Sequence, residues 1–317
     1  MSLLAFDLGG TKLATAVFNE EGKILFREIT PLEKRKGSEV AELISNRIST
    51  LSDVTEITGD EIESIGISIP GIYFSKSGTV WAPNIHGWDK YPLLEEVKKI
   101  AGEVPVTIDS DRACYILGEV WKGNAQQCKD AIFLSVGTGI GAGILVNGNV
   151  LRGSNDIAGA IGWMALQRPF DKEFSQCGSL EYFTSGEGIA RLAQKLLKEK
   201  KDYSGDLKNR SIEDITSWNV FRSYEKKDEI AEEVVHLCVE FWGMAAANLV
   251  SLFNPEKIIF GGGIFGPAIT LLPAIKKEAT KWAQPISIQQ VDFEASGLQN
   301  DAGAYGAGFL ALSALNP

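Results

Sequence analysis

Apolar and polar positions along the chain follow two rhythms: short apolar runs closed by glycine or proline, and longer stretches with helical spacing. "LLAFDLGG" is the first apolar run, and "LATAVFNEEGKILFREIT" adds two more around a turn at Asn19–Gly22. Three strands joined this tightly predict an antiparallel opening meander. "SEVAELISNRISTL" predicts a helix, and "SIGISIPG" a buried strand stopped by Pro70-Gly71. "VPVTI" predicts a short strand that leads into a helical stretch through Ile116 and Leu117.

The same grammar then restarts. "AIFLSVGTGIGAGILVNGNVL" again gives strand, Gly-Thr loop, strand, tight turn and strand, with Asn147-Gly148 a strong two-residue hairpin signal. Aligning the two openings sets Gly10-Thr11 opposite Gly137-Thr138, which suggests a duplicated α/β module. Helices are expected over roughly Leu180–Lys200 and Asp228–Phe253, followed by "EKIIFGGG", another helix, "ISIQQVDF" and a final helix from Asp301. No low-complexity linker separates the halves, so several chain crossings and a cleft between domains are expected.

Composition narrows the function. The 317 residues are 44% apolar and 23% charged, as in ordinary globular protein, and suffice for about two domains with their own cores. A net charge of −10 argues against nucleic acid as the main partner, because phosphate neutralisation needs a clustered basic face. The densest basic run, Lys34-Arg35-Lys36, reads as a solvated loop. Cys114, Cys128, Cys177 and Cys238 lie far apart with no CxxC pair, which speaks against disulfides and a thiolate zinc site. No apolar run reaches about 18 residues, and no basic segment precedes the first short apolar stretch, so the expectation is a soluble cytoplasmic protein without a membrane partner. Of the two histidines, His236 shares a helical stripe with Ile230, Val234, Cys238 and Phe241, which suits packing or solvent rather than catalysis.

Three glycine turns each follow an apolar strand: Gly9-Gly10-Thr11-Lys12, Gly137-Thr138-Gly139-Ile140-Gly141 and Gly261-Gly262-Gly263. Glycine lets backbone N–H groups approach an anion closely, and three such turns at strand ends point to phosphate. None matches the GxxxxGK[ST] or GxGxxG patterns in context, and a lone Gly-Thr turn would be a plain hairpin. Asp7 stands at the mouth of the first turn, where a carboxylate would repel phosphate unless a cation lies between them. Asp7 is therefore expected to anchor hydrated Mg²⁺–ATP, with Thr11 and Lys12 beside the transferring phosphate. The alternatives are that Asp7 caps the turn and that Lys12 is a solvated strand residue.

With these turns in hand the chain resembles the ROK family (repressor, open reading frame, kinase), whose enzymes phosphorylate sugars. The resemblance spans essentially the whole chain and is carried by "DLGGTK", "GISIPG", "APNIHGW", "DSDRACYILGE", "GTGIGAGI", "AGAIGW", "GSLE", "NPEKIIFGGG" and "DAGAYGAG" in order. It implies an α/β fold of two ribonuclease-H-like (actin-like ATPase) domains, residues 1–120 with 302–317 and residues 121–301, with ATP and sugar meeting in the cleft. It also implies a homodimer. Family repressors carry a helical extension before the first strand, which here begins at residue 3, so the kinase branch is expected. The resemblance makes Asp111 the base that takes the sugar hydroxyl proton, with Ser110 in place of the family asparagine. Phosphoryl transfer needs such a group. From the residues alone, Asp111 could be a helix cap and Asp109 a rival base. Gly71 and Asn84 match sugar-contacting positions, although Asn84 after Pro83 is equally a turn residue.

The chain also departs from the pattern. Where the family has Ala-Gly-Glu-Ile-Gly-His and a zinc-binding cysteine cluster, this chain has "AGAIGWM" and "FSQCGSLE". Ala160 replaces the glutamate, Trp163 the histidine and Ser179 a ligand cysteine, so no zinc is expected. Glu181 matches a sugar-contacting glutamate but would also suit the first turn of a helix. Trp163 either stacks on a sugar or packs a core in place of the zinc knot. Two functions are expected to compete: an ATP- and Mg²⁺-dependent glucokinase-like enzyme, and a non-catalytic sugar or nucleotide sensor derived from one.

Overall fold

The computed structural model describes residues 1–51 and 59–315. The chain divides into two compact units, Met1–Gln127 with Val150–Ala158 and Gly297–Pro317, and Cys128–Asn149 with Gly159–Ser296. It therefore passes between them more than once.

In the first unit, β1 (Ser2–Leu8), β2 (Lys12–Phe18) and β3 (Ile24–Pro31) form the expected antiparallel meander. Parallel strands β4 (Ile62–Ile69) and β7 (Val106–Ser110) extend it into a sheet of order β3-β2-β1-β4-β7, and β5 (Ile72–Phe74) pairs with β6 (Thr79–Trp81) as a separate hairpin. Apolar stripes at 3.6-residue spacing place α1 (Ser38–Leu51) and α2 (Leu93–Ala101) in one core with the sheet. α3 (Asp111–Lys122) and the last helix, Ala302–Leu315, contribute to smaller clusters that include Ala307 and Ala311 against Leu3, Ala5 and Phe18.

The second unit repeats this plan. β8 (Ala131–Val136), β9 (Ile140–Val146), β10 (Asn149–Val150), β11 (Lys257–Gly261) and β12 (Asp292–Ala295) run in the order β10-β9-β8-β11-β12. β8 pairs antiparallel with β9 and parallel with β11, as β1 does with β2 and β4. The Gly-Thr turns thus occupy the same place in both sheets, one strand from the centre of a duplicated unit. Asn147 and Gly148 both have positive φ, 50° and 77°, as a primed hairpin turn requires.

The helix expected over 180–200 is two: α4 (Ser179–Thr184) and α5 (Gly186–Glu199). Ser185 separates them because its hydroxyl accepts the Gly188 N–H at 3.1 Å and caps α5. α6 (Ser217–Tyr224) and α7 (Glu229–Phe253) follow, the latter capped by Asp228. α7 is long and apolar enough to cross a membrane, but its apolar residues, Val234, Phe241 and Trp242 among them, pack in the core of the second unit. "ISIQQVDF" is not continuous structure: Ser287–Gln290 is a helical turn and β12 begins at Asp292.

Candidate active site

Asp7 comes one residue before the end of β1, and the turn Gly9–Thr11, exposed at Gly10 and Thr11, follows it. Its Oδ1 accepts the Ser68 hydroxyl at 2.8 Å, from the neighbouring parallel strand β4. The carboxylate also lies against the first turn of the last helix, where a Cβ on Gly303 would meet Oδ2 at 2.4 Å. Only glycine admits the carboxylate there, which accounts for one glycine of "DAGAYGAG". Burial pushes the Asp7 carboxyl above its ordinary value, against the Ser68 hydrogen bond and the Lys12 charge. The Gly9 N–H is spent on Lys12 O at 2.9 Å, closing the turn, so an anion would be met by Gly10 and Thr11. Lys12 opens β2 opposite Pro31 and is exposed. Asn84, also exposed, lies beside this turn: a Cβ on Gly10 would sit 3.4 Å from Asn84 Cβ. Gly71 has φ 111° where the chain enters the β5–β6 hairpin, and a Cβ there would strike Trp81 O at 2.2 Å.

The two rival aspartates differ sharply. Asp109 accepts both Arg152 Nε at 2.9 Å and Arg152 Nη2 at 2.6 Å on Oδ2, while its Oδ1 accepts the Ser110 N–H at 2.8 Å. Both Asp109 carboxylate oxygens are thus engaged. Asp111 opens α3, its Oδ1 accepts the Arg112 N–H at 2.7 Å, and it hydrogen-bonds with Tyr115, one turn along the same helix. Burial pushes its carboxyl up to about 6, opposed by the Arg112 charge and reinforced by the negative charge of Asp7. A carboxyl titrating there is poised to accept a proton near neutral pH. Ser110 is buried, with its hydroxyl 3.4 Å from the Tyr73 N–H that donates to it. Ser68, Tyr115 and Arg152 are contacts that sequence reasoning missed. Tyr115 could have been found, since i and i+4 meet on a helix.

In the second unit the Gly137 N–H closes its own turn onto Gly139 O at 2.9 Å, leaving Thr138 and Gly139 exposed. Gly141 and Gly261 are both ladder partners of Ser135, while Gly262 and Gly263 are exposed. Glu181 ties this turn to α4. Its Oε2 accepts the Ile140 N–H at 2.6 Å, and Cβ atoms on Gly139 or Gly162 would each lie 2.9 Å from that oxygen. Burial raises the Glu181 carboxyl and the Ile140 hydrogen bond opposes the rise. Trp163 ends the short turn Ile161–Trp163 and is 56% exposed, so it does not pack a core. Ser179, at the place of the expected family cysteine, instead donates to Met164 O at 2.8 Å and accepts the Leu166 N–H at 3.0 Å. Among the described residues no group of three or more His, Cys, Asp or Glu could hold a metal ion by itself.

Comparison with known proteins gives the family. The ROK family profile matches residues 3–314. A glucokinase of Halalkalibacterium halodurans is 32% identical over 96% of this chain and 93% of its own length. A beta-glucoside kinase of Listeria monocytogenes is 30% identical over 97% and 96%. The crystal structure of a ROK family glucokinase from Streptomyces griseus in complex with glucose and AMPPNP superposes with a TM-score of 0.78 at 28% identity, covering 99% of this chain and all of that one. By extent and identity together, the chain belongs to the ROK family.

Proposed function

We propose that this chain is an ATP-dependent sugar kinase that transfers the γ-phosphoryl group of ATP to a hydroxyl of a hexose or related sugar. Full-length similarity to named sugar kinases supports the reaction class. The observation that carries the residue assignment is Asp111, a carboxylate at the head of α3 whose titration is pushed to about 6. In this reading Asp111 accepts the proton of the acceptor hydroxyl as that oxygen attacks the γ-phosphorus in line and ADP departs. Asn84, Gly71, Ser110 and Glu181 orient the sugar, and Trp163 offers it a stacking face. Thr11, Lys12 and the exposed backbone of the Gly10, Thr138–Gly139 and Gly262–Gly263 turns receive the phosphates.

The hard oxygen donors at Asp7, a carboxylate with a serine hydroxyl beside it, suit Mg²⁺ held through water and completed by nucleotide phosphates. When bound, that cation spreads the charge that develops on the transferring phosphate. Asp7 would hold the ion's water shell while Ser68 fixes the carboxylate's orientation. The same reading takes the two units as actin-like ATPase domains that enclose ATP and sugar in a cleft, near the expected division into 1–120 with 302–317 and 121–301 except that Val150–Ala158 goes with the first. It extends, on the family resemblance, to a cytoplasmic homodimer without structural zinc and without a nucleic-acid or membrane partner.

A coupled ADP assay over hexoses, amino sugars, deoxy sugars and glucosides tests the proposal. Sugar-stimulated ADP release from at least one acceptor is expected. Measurable ATP affinity with no turnover on any of them would overturn the kinase and promote the non-catalytic sensor.

A further inference from the structure

Four backbone segments of the second unit converge beside the Gly137–Gly139 turn. The Gly186 N–H, at the head of α5, donates to Gly137 O at 2.8 Å. A Cβ on Gly186 would lie 3.5 Å from Ile264 Cδ1 and 3.6 Å from Ser217 Oγ, which brings in the loop after β11 and the head of α6. Gly262, with φ 85°, backs so closely onto the end of β8 that a Cβ would meet Val136 O at 2.4 Å. From there one tight turn, with Phe265 N donating to Gly262 O at 3.0 Å, leads to Gly266. A Cβ on Gly266 would lie 3.8 Å from Trp218 Cη2.

Trp218 is the residue this arrangement leaves unexplained. It stands in the first turn of α6, whose start is fixed by reciprocal Thr216 and Asn219 capping bonds. Its neighbours Ser217, Val220 and Phe221 are buried, yet its own indole is 57% exposed. The ring is thus firmly based and largely uncovered, at the far side of the loop whose near end carries the exposed Gly262 and Gly263. Exposed glycine amides and an exposed aromatic face thus stand at the two ends of one short turn of chain, the order in which phosphates and base would be met along a nucleotide.

We propose that Trp218 is the stacking platform for the nucleobase of ATP, a binding residue that secures the nucleoside without selecting among bases. This rests on the kinase reading, in which the Gly137 and Gly262 turns hold phosphates. Stacking on an indole face favours any flat heteroaromatic ring, so the platform secures the nucleoside while the glycine turns place the phosphates.

The test is a comparison of wild type, Trp218→Ala and Trp218→Phe. The alanine variant is expected to raise KM for ATP about tenfold or more, with kcat and sugar KM within twofold, and the phenylalanine variant to recover most of the loss. Inorganic tripolyphosphate, which has no base, is expected to compete with ATP equally well in wild type and Trp218→Ala. Unchanged ATP KM in Trp218→Ala, equal losses in both variants, or a parallel loss of tripolyphosphate competition would each overturn the proposal. Should wild type turn over no sugar, calorimetric affinity for AMPPNP in the three proteins reads the stacking alone, and an unchanged affinity in Trp218→Ala again overturns it.

Discussion

Arg152 holds Asp109 with two nitrogens on one oxygen, Nη2 at 2.6 Å and Nε at 2.9 Å from Oδ2. The pair joins the end of strand β7 to the segment Val150–Ala158, which belongs to the same unit. Asp109 is buried while Arg152 is partly solvated, so the carboxylate depends on its partner more than the reverse. Arg152→Ala is therefore expected to destabilise the protein by about 1–3 kcal/mol, because it strands a buried carboxylate. Asp109→Asn should lose stability but keep measurable kcat, read by chemical denaturation and the coupled assay together. A loss of kcat in Asp109→Asn as deep as that of Asp111→Asn would return Asp109 to the role of base.

Under the proposed mechanism Asp111 links catalysis to pH. Its carboxyl titrates at about 6, above its ordinary value of 3.8, because burial disfavours the charge. The base must be ionised to work, so kcat/KM should rise with pH and level off above about 6. Asp111→Asn should lower kcat about a hundred- to ten-thousand-fold and remove this limb, with ATP affinity unchanged in calorimetry.

The same shift has a stability consequence of definite sign. A folded-state value above the unfolded one means that protonation favours the fold. That contribution is complete below about pH 3.8 and lost as pH rises through about 6. At pH 7.5 an ionised, desolvated Asp111 opposes folding, so Asp111→Asn is expected to raise the thermal midpoint by about 2–4 °C while removing most of the activity. The gain should vanish near pH 4. A lower midpoint at pH 7.5 would mean that the Arg112 and Tyr115 contacts outweigh the desolvation.

Much of the architecture could be read from local pattern, and what could not has a common cause. The opening meander, α1 and the Asn147-Gly148 hairpin carry their information within a few residues, as apolar period or turn chemistry. The repeated Gly-Thr turn pointed to duplication, and the two sheets share one strand order. The break at Ser185 was present in "TSGEG" but was outweighed by the helical period on both sides. At the site, Asp7 and Asp111 stood out as acids next to turns or helix starts. Their partners did not: Ser68 is 61 residues from Asp7, Arg152 is 43 from Asp109, and Ile140 is 41 from Glu181. Such pairings are decided by strand register and chain crossing, which no local period encodes. Trp163 shows a different limit, since an aromatic in a short turn has no pattern to say whether it faces core or water.

Gly303 offers a test of Asp7 that leaves the carboxylate in place. Its Cβ would fall 2.4 Å from Asp7 Oδ2, so Gly303→Ala must displace the acid or the helix start. Alanine is otherwise the better helix former, by about 1 kcal/mol. Under the proposed mechanism the variant should need several-fold more Mg²⁺ for half-maximal rate, measured at saturating ATP, with the far-ultraviolet circular dichroism unchanged. An unaltered Mg²⁺ dependence would show that Asp7 is not the cation's anchor.

Glu181 ties the Gly137 turn to α4 through the 2.6 Å bond to Ile140 N, and Gly162 of the Trp163 turn lies against the same carboxylate. Glu181→Ala leaves the buried Ile140 N–H without this acceptor, at a cost of about 1–3 kcal/mol, and loosens a turn assigned to phosphate. Its effect should therefore appear in KM for both ATP and sugar. Trp163, 56% exposed, has no such structural duty, so Trp163→Ala should leave the thermal midpoint and ATP KM nearly unchanged. If its indole stacks on the acceptor, sugar KM should rise about five- to tenfold, as expected for loss of about 1 kcal/mol of aromatic contact. The comparison separates the two residues: a rise in sugar KM alone for Trp163→Ala, against a rise in both constants for Glu181→Ala. Equal and unselective losses would place both residues in a shared structural role and remove Trp163 from acceptor recognition.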